Sequence, residues 1–147
     1  MQLFHDVSRV SSVFDEPNLV SCAGLAPVVA LAGRVGLDRM VGEALTLREP
    51  GGVNAVVKVP ALVAGMVAGA DSIDDMDLLR HGGMGRLFTG VRAPSTLGTF
   101  LRSFTSGHLR QLDAVIAETI RRAWSMGAGS VSTAMTIDLD STICEAF

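Results

Sequence analysis

The chain reads as a mainly α protein, about six helices followed by one β-strand near its end, and three observations carry that reading. Apolar residues recur at helical spacing from Leu25 to Trp124. Glycine and proline punctuate that run at Gly36, Pro50-Gly51-Gly52, Gly82-Gly83 and Ser106-Gly107, as a series of short helices requires. A dense group of β-branched residues occurs only at 131–143. With 147 residues, 48% of them hydrophobic, and a mean hydropathy of +0.41, the chain can bury a core. That composition excludes general disorder, and the length excludes a large multidomain enzyme.

Residues 1–24 are predicted to form an irregular arm, polar and mixed at its start. A helical region follows over 25–130. Val28, Val29, Leu31, Ala32 and Val35 give the first helix, which Gly36 should end in a left-handed cap, and Leu37 to Leu47 resumes as a second. Pro60 is placed in the first turn of a third helix, with Leu62, Val63, Met66, Val67 and Ala70 as its core stripe. Ser72 and Asp75 resemble a capping box that opens a helix with Ile73, Met76 and Leu79 inward. Met84 to Phe88 is a short apolar piece. Pro94-Ser95-Thr96-Leu97 starts the next helix, with Ser95 or Thr96 as its cap and Leu97, Phe100, Leu101 and Phe104 on one face. A longer helix from about His108 to Met126 carries Leu109, Leu112, Ile116, Ile120 and Trp124 on one stripe. The order of short helix, turn and longer helix is compatible with a helix-turn-helix, and equally with an ordinary bundle. Residues 131–147 then form a strand with its core at Ala134 to Leu139.

The net charge of -3 conceals a division along the chain. From Leu79 to Ser130 there are seven arginines against Asp113 and Glu118, a net of +5. Arginine is the better bidentate phosphate ligand. Arg102, Arg110, Arg121 and Arg122, with Ser95 and Thr96, are therefore the candidate contacts to double-stranded DNA. Cys22 and Cys144 are too far apart to suggest a disulfide framework or a thiolate zinc site. Met1 to Arg9 lacks a signal peptide's pattern, and the apolar stretches at 19–35 and 53–70 are interrupted by Pro27, Arg34, Lys58 and Pro60. A cytoplasmic protein with no membrane span is expected.

The sharpest chemical feature is Thr136-Ile137-Asp138-Leu139-Asp140-Ser141-Thr142. On a strand, Asp138 and Asp140 project to the same face. Two adjacent carboxylates repel unless a proton or cation lies between them, which points to a divalent metal, most naturally Mg2+, or to an acid/base pair.

These residues resemble the first catalytic strand of DDE-type insertion-sequence transposases, which are ribonuclease H-like enzymes preceded by a helical DNA-binding region. The resemblance extends to Pro94-Ser95-Thr96-Leu97-Gly98-Thr99-Phe100-Leu101 and to Gly69-Ala70-Asp71-Ser72-Ile73-Asp74-Asp75-Met76-Asp77 followed by Leu79-Arg80-His81, covering about Leu25 to Phe147. It implies binding of the element's terminal inverted repeats and metal-dependent strand cleavage and transfer, in which three carboxylates hold two Mg2+ ions. Asp140 matches the family's first catalytic, metal-binding Asp if Asp140-Ser141-Thr142 is the anchor, and Asp138 is the alternative. The triad's second Asp and its Glu have no counterpart before Phe147, and Glu145 lies too near Asp140. As written, the sequence resembles a truncated transposase and is expected to be inactive in transposition and prone to self-association.

The motif also resembles the first motif of haloacid-dehalogenase-like phosphatases, with Asp138 as nucleophile, Asp140 as general acid/base and Thr142 on phosphate. That family usually has glycine where Ser141 stands, and nothing upstream matches. A free-standing helical DNA-binding or interaction module is the reading outside enzymology.

Overall fold

The computed structural model describes residues 16–47 and 53–129, together with Ser11 and Val13. The protein is mainly helical, and no strand occurs among the described residues. The expected strand at 131–147 and most of residues 1–15 lie outside them. Residues 16–24 run as turns. They are held where the Gly83 N–H donates to the Leu19 carbonyl at 2.8 Å.

Helix α1 (Leu25–Val35) ends at Gly36, whose φ of 85° is left-handed and whose N–H reaches the carbonyls of Ala32 and Gly33. Helix α2 (Leu37–Ala44) starts immediately, burying Leu37, Met40 and Val41 at i, i+3, i+4. The break at Gly36 is as read from the sequence, while α2 ends at Ala44, three residues before the expected Leu47.

The third helix, α3 (Ala55–Val67), departs from expectation twice. It begins a turn and a half earlier, after Asn54 in a left-handed conformation, so Pro60 sits inside it rather than in its first turn. Its buried face is Lys58, Ala61, Ala64 and Gly65, while Val63, Met66 and Val67 are exposed. The reason is close approach: a Cβ at Gly65 would collide with the side chain of Met76. Small residues on α3 let the following segment pack against it.

That segment is a 3-10 helix (Asp74–Leu79). Ile73, Met76 and Leu79 are spaced by three, the period of a 3-10 turn, and so fall on one face; Met76 and Leu79 are buried. The Ser72–Asp75 box forms, with the Ser72 N–H and hydroxyl donating to Asp75 Oδ2 at 2.9 and 2.6 Å. Helix α4 (Met84–Leu87) is a single turn that buries Met84.

Helix α5 (Pro94–Leu101) is capped by Ala93, with Pro94 at its first position and Ser95 and Thr96 already inside the first turn. Neither is the cap, because Pro94 lacks an N–H and fits where the first turn leaves donors unpaired. Helix α6 (Ser106–Ala123) begins at Thr105, whose N–H donates to His108 Nδ1 at 3.0 Å. It runs into a π-helical turn (Trp124–Ala128), which Gly127 breaks with a φ of 99°.

Two cores result. Leu25, Ala64, Met76, Leu79, Met84 and Leu97 form the first, and Val35, Leu37, Met40, Val41 and Val115 the second. Helix α5 rests on the 3-10 helix and α3, whereas α6 rests on α2 and α1. Their buried leucine and valine, Leu97 and Val115, thus belong to different cores. Of the two arrangements the sequence left open, α5 and α6 rest on different cores and meet only near their junction, where the Phe104 ring lies edge-on to Phe100 and to His108.

Candidate nucleic-acid interface

The four arginines expected to meet phosphate have different surroundings. Arg102 follows the end of α5, exposed, with its guanidinium donating to Thr99 Oγ1 at 3.2 Å. Thr99 Oγ1 in turn donates to the Ser95 carbonyl at 2.9 Å. Ser95, Thr99 and Arg102 therefore lie along one exposed face of α5, with Thr96 exposed beside them. This cluster offers hydroxyls and one guanidinium at a helix surface, a suitable set of donors for a phosphate oxygen.

Arg110 is exposed on α6. Arg121 lies three turns further along the same face, about 16 Å away by helix rise. Glu118 holds Arg121 through two bonds of 2.7 Å each, from Nε and Nη2. Arg121 stays mostly exposed, and its guanidinium gains proton affinity from that carboxylate. Arg122 is placed differently. It is half-buried, donating from Nε to Glu118 at 2.7 Å and from Nη1 to the Val35 carbonyl at 3.2 Å. That carbonyl is at the last residue of α1, where a cation meets the negative end of the helix dipole. Arg122 is thus an internal tie between α6 and α1, through its Nε and one Nη1 donor.

Glu118, gripped first by Arg121 and then by Arg122, has its pKa lowered to about 2. Asp75 is also held below the ordinary carboxylate range, first by the Ser72 hydroxyl and then by Asp71. Both shifts come from hydrogen bonding of the charged form. The acids at 71–77 serve the start of the 3-10 helix, and no group of three His, Cys, Asp or Glu side chains able to hold a metal occurs among the described residues. Asp138 and Asp140 lie outside those residues.

Sequence reasoning missed two features of this surface. Arg86 and Arg92 are exposed as well, and the +5 segment was the signal for them. Lys58 is 6% exposed and sits 5.0 Å from the centroid of the Phe100 ring, the aromatic that joins α5 to α3. Nothing in a helical pattern marks one lysine as buried.

An apolar groove of about 370 Å3 opens between α1 and α3, lined by Val29, Ala32, Pro60, Ala64, Leu79 and Phe88, with Asp38 at its edge. It offers shape and apolar surface, without the convergent polar groups that orient a reacting substrate. No helix is long and apolar enough to cross a membrane among the described residues. Comparison with protein-family models, curated proteins and solved structures finds no match to this chain.

Proposed function

We propose that this chain is the helical, DNA-binding part of a DDE-type transposase, carrying the first catalytic Asp motif at its C-terminal end. One observation supports this reading above the others. Two of the three segments that resemble the family, 69–81 and 94–101, are separated by a dozen residues and pack into one core, where Met76 and Leu79 meet Leu97. The third segment, with Asp138 and Asp140, follows α6 in the order the family has.

The DNA contacts in this proposal are phosphate contacts from Arg102 and Arg110, with Ser95 and Thr96 adding hydroxyl donors beside Arg102 and Arg121 joining through its exposed edge. Arg122 is left out because it is half-buried and ties α6 to Glu118 and to the end of α1. Asp140, with Asp138 beside it, offers the oxygen donors that suit Mg2+. A metal held there would supply activation of an attacking water or 3'-hydroxyl and charge stabilisation at the leaving oxygen. The family holds its metals with three carboxylates, and the second Asp and the Glu are unmatched in these 147 residues. The activity proposed for these 147 residues is DNA binding.

The test is footprinting of the purified chain on the DNA that flanks its own reading frame. Protection confined to inverted-repeat sequence supports the proposal. Uniform or absent protection at low salt contradicts it, and leaves a protein-interaction module as the better description.

A further inference from the structure

The groove between α1 and α3 is apolar on its floor and around its rim. Its floor includes Ala64 and Leu79, which belong to the first core. The rim carries Val28 from α1, Val56, Val57, Val63 and Val67 from α3, and Leu87 from α4, each between 37% and 54% exposed. Solitary exposed valines and leucines are ordinary, but six around one concave space form a contact surface. Among the described residues, Asp38 is the only charged side chain that lines it.

We infer that this groove is the seat of the chain's own N-terminal segment, residues 3–10, with Leu3, Phe4, Val7 and Val10 as its anchors. The first support is where the chain enters the fold. Val20 and Cys22 pack on the same core that floors the groove, and the Leu19 carbonyl is tied to the Gly83 N–H, one helical turn before Leu87 on the rim. Fifteen residues precede Glu16, a length of up to about 50 Å when extended, so the segment reaches the groove with chain to spare. Ser11 and Val13 are exposed, which leaves them as the crossing between Glu16 and the groove and puts the anchors upstream.

Spacing and charge agree with this occupant. Leu3, Phe4, Val7 and Val10 recur at i, i+1, i+4 and i+7, as do the anchors of an amphipathic segment laid into a groove between helices. Coiled in that way, residues 3–10 span about 10 Å, within the roughly 16 Å of α3 between Val56 and Val67. Arg9 stands among the anchors and complements Asp38 at the edge. Residues 130–147 carry apolar side chains too. With Asp138, Asp140 and Glu145 and neither lysine nor arginine, however, they would bring three negative charges to an acidic edge. None of the arginines proposed to meet DNA lines the groove, so the inference does not rest on that reading.

The experiment places a photo-crosslinking benzophenone side chain at position 4 of the full chain, at low micromolar concentration, and maps the products by mass spectrometry. The expected cross-links join position 4 to rim residues of α1 and α3 within the same chain. Val63→Asp should abolish them and leave helicity unchanged, since Val63 is exposed on the rim. Removing residues 1–10 should raise the binding of the hydrophobic dye ANS about twofold or more, as should Leu3→Asp with Phe4→Asp, and added peptide of residues 1–10 should reverse the rise. Cross-links that are absent, fall outside the groove or join two chains overturn the inference. Equal dye binding by the full and shortened chains overturns it too: equally strong binding leaves the groove open, and equally weak binding assigns it to residues 130–147.

Discussion

Leu97 and Ile116 are both apolar residues on apolar stripes of consecutive helices, yet truncating them should have opposite consequences. Leu97 is fully buried, enclosed by Leu25, Ala64, Met76, Leu79 and Met84. Leu97→Ala removes three carbons from a site whose neighbours are held by four different elements, so collapse into the space is limited. A cost of about 3 kcal/mol follows, towards the lower end of the range for buried leucines. Ile116 is 57% exposed, and Ile116→Ala should cost about 0.5 kcal/mol in the monomer. Urea unfolding followed by circular dichroism measures both, at about 1 μM so that association contributes little. With a slope of about 2 kcal/mol per molar urea, the midpoint should fall by about 1.5 M for Leu97→Ala and by about 0.25 M for Ile116→Ala. Equal losses would refute the assignment of α5 to the core and of the α6 stripe to the surface.

Three further outcomes follow from the same geometry. Gly36→Ala forces a Cβ into a left-handed residue and towards the Arg122 guanidinium, and should cost about 1 to 2 kcal/mol in the same assay. Glu118 has a folded pKa of about 2 against an ordinary 4.5, so its contribution is complete above pH 4.5 and is lost as pH falls towards 2. Midpoints of wild type and Glu118→Gln should accordingly differ at neutral pH and converge across that acid window. Arg122→Ala should lower thermal stability and leave DNA affinity unchanged, whereas Arg110→Ala should do the reverse, as scanning calorimetry and fluorescence anisotropy would show.

Much of the fold was legible because it rests on local signals. Gly36 needed only its own permissive backbone to end α1, and the triplet Ile73, Met76 and Leu79 had only to fall on one face. Pro60 misled because a proline fits a first turn so readily that a start was read where a helix interior exists. The buried face of α3 was hidden for a different reason. Ala61, Ala64 and Gly65 carry little hydrophobic signal, and their burial is decided by Met76 arriving from the next segment. On α6, periodicity correctly found one apolar stripe, but spacing cannot say whether a stripe faces its own core or another molecule. Arg122 shows the same limit for charge: adjacent to Arg121 in the chain, it points about 100° away around the helix, into Glu118 and the end of α1.

The DNA-binding assignment is tested most directly by the salt dependence of binding to duplex DNA, measured by anisotropy for the wild type and for Arg102→Ala with Arg110→Ala. With three or four phosphate contacts, wild-type affinity should fall roughly 40- to 150-fold between 50 and 200 mM salt, and the double variant should bind more weakly with a slope smaller by about two. An affinity undetectable at low salt, or a slope identical in the two proteins, would contradict it.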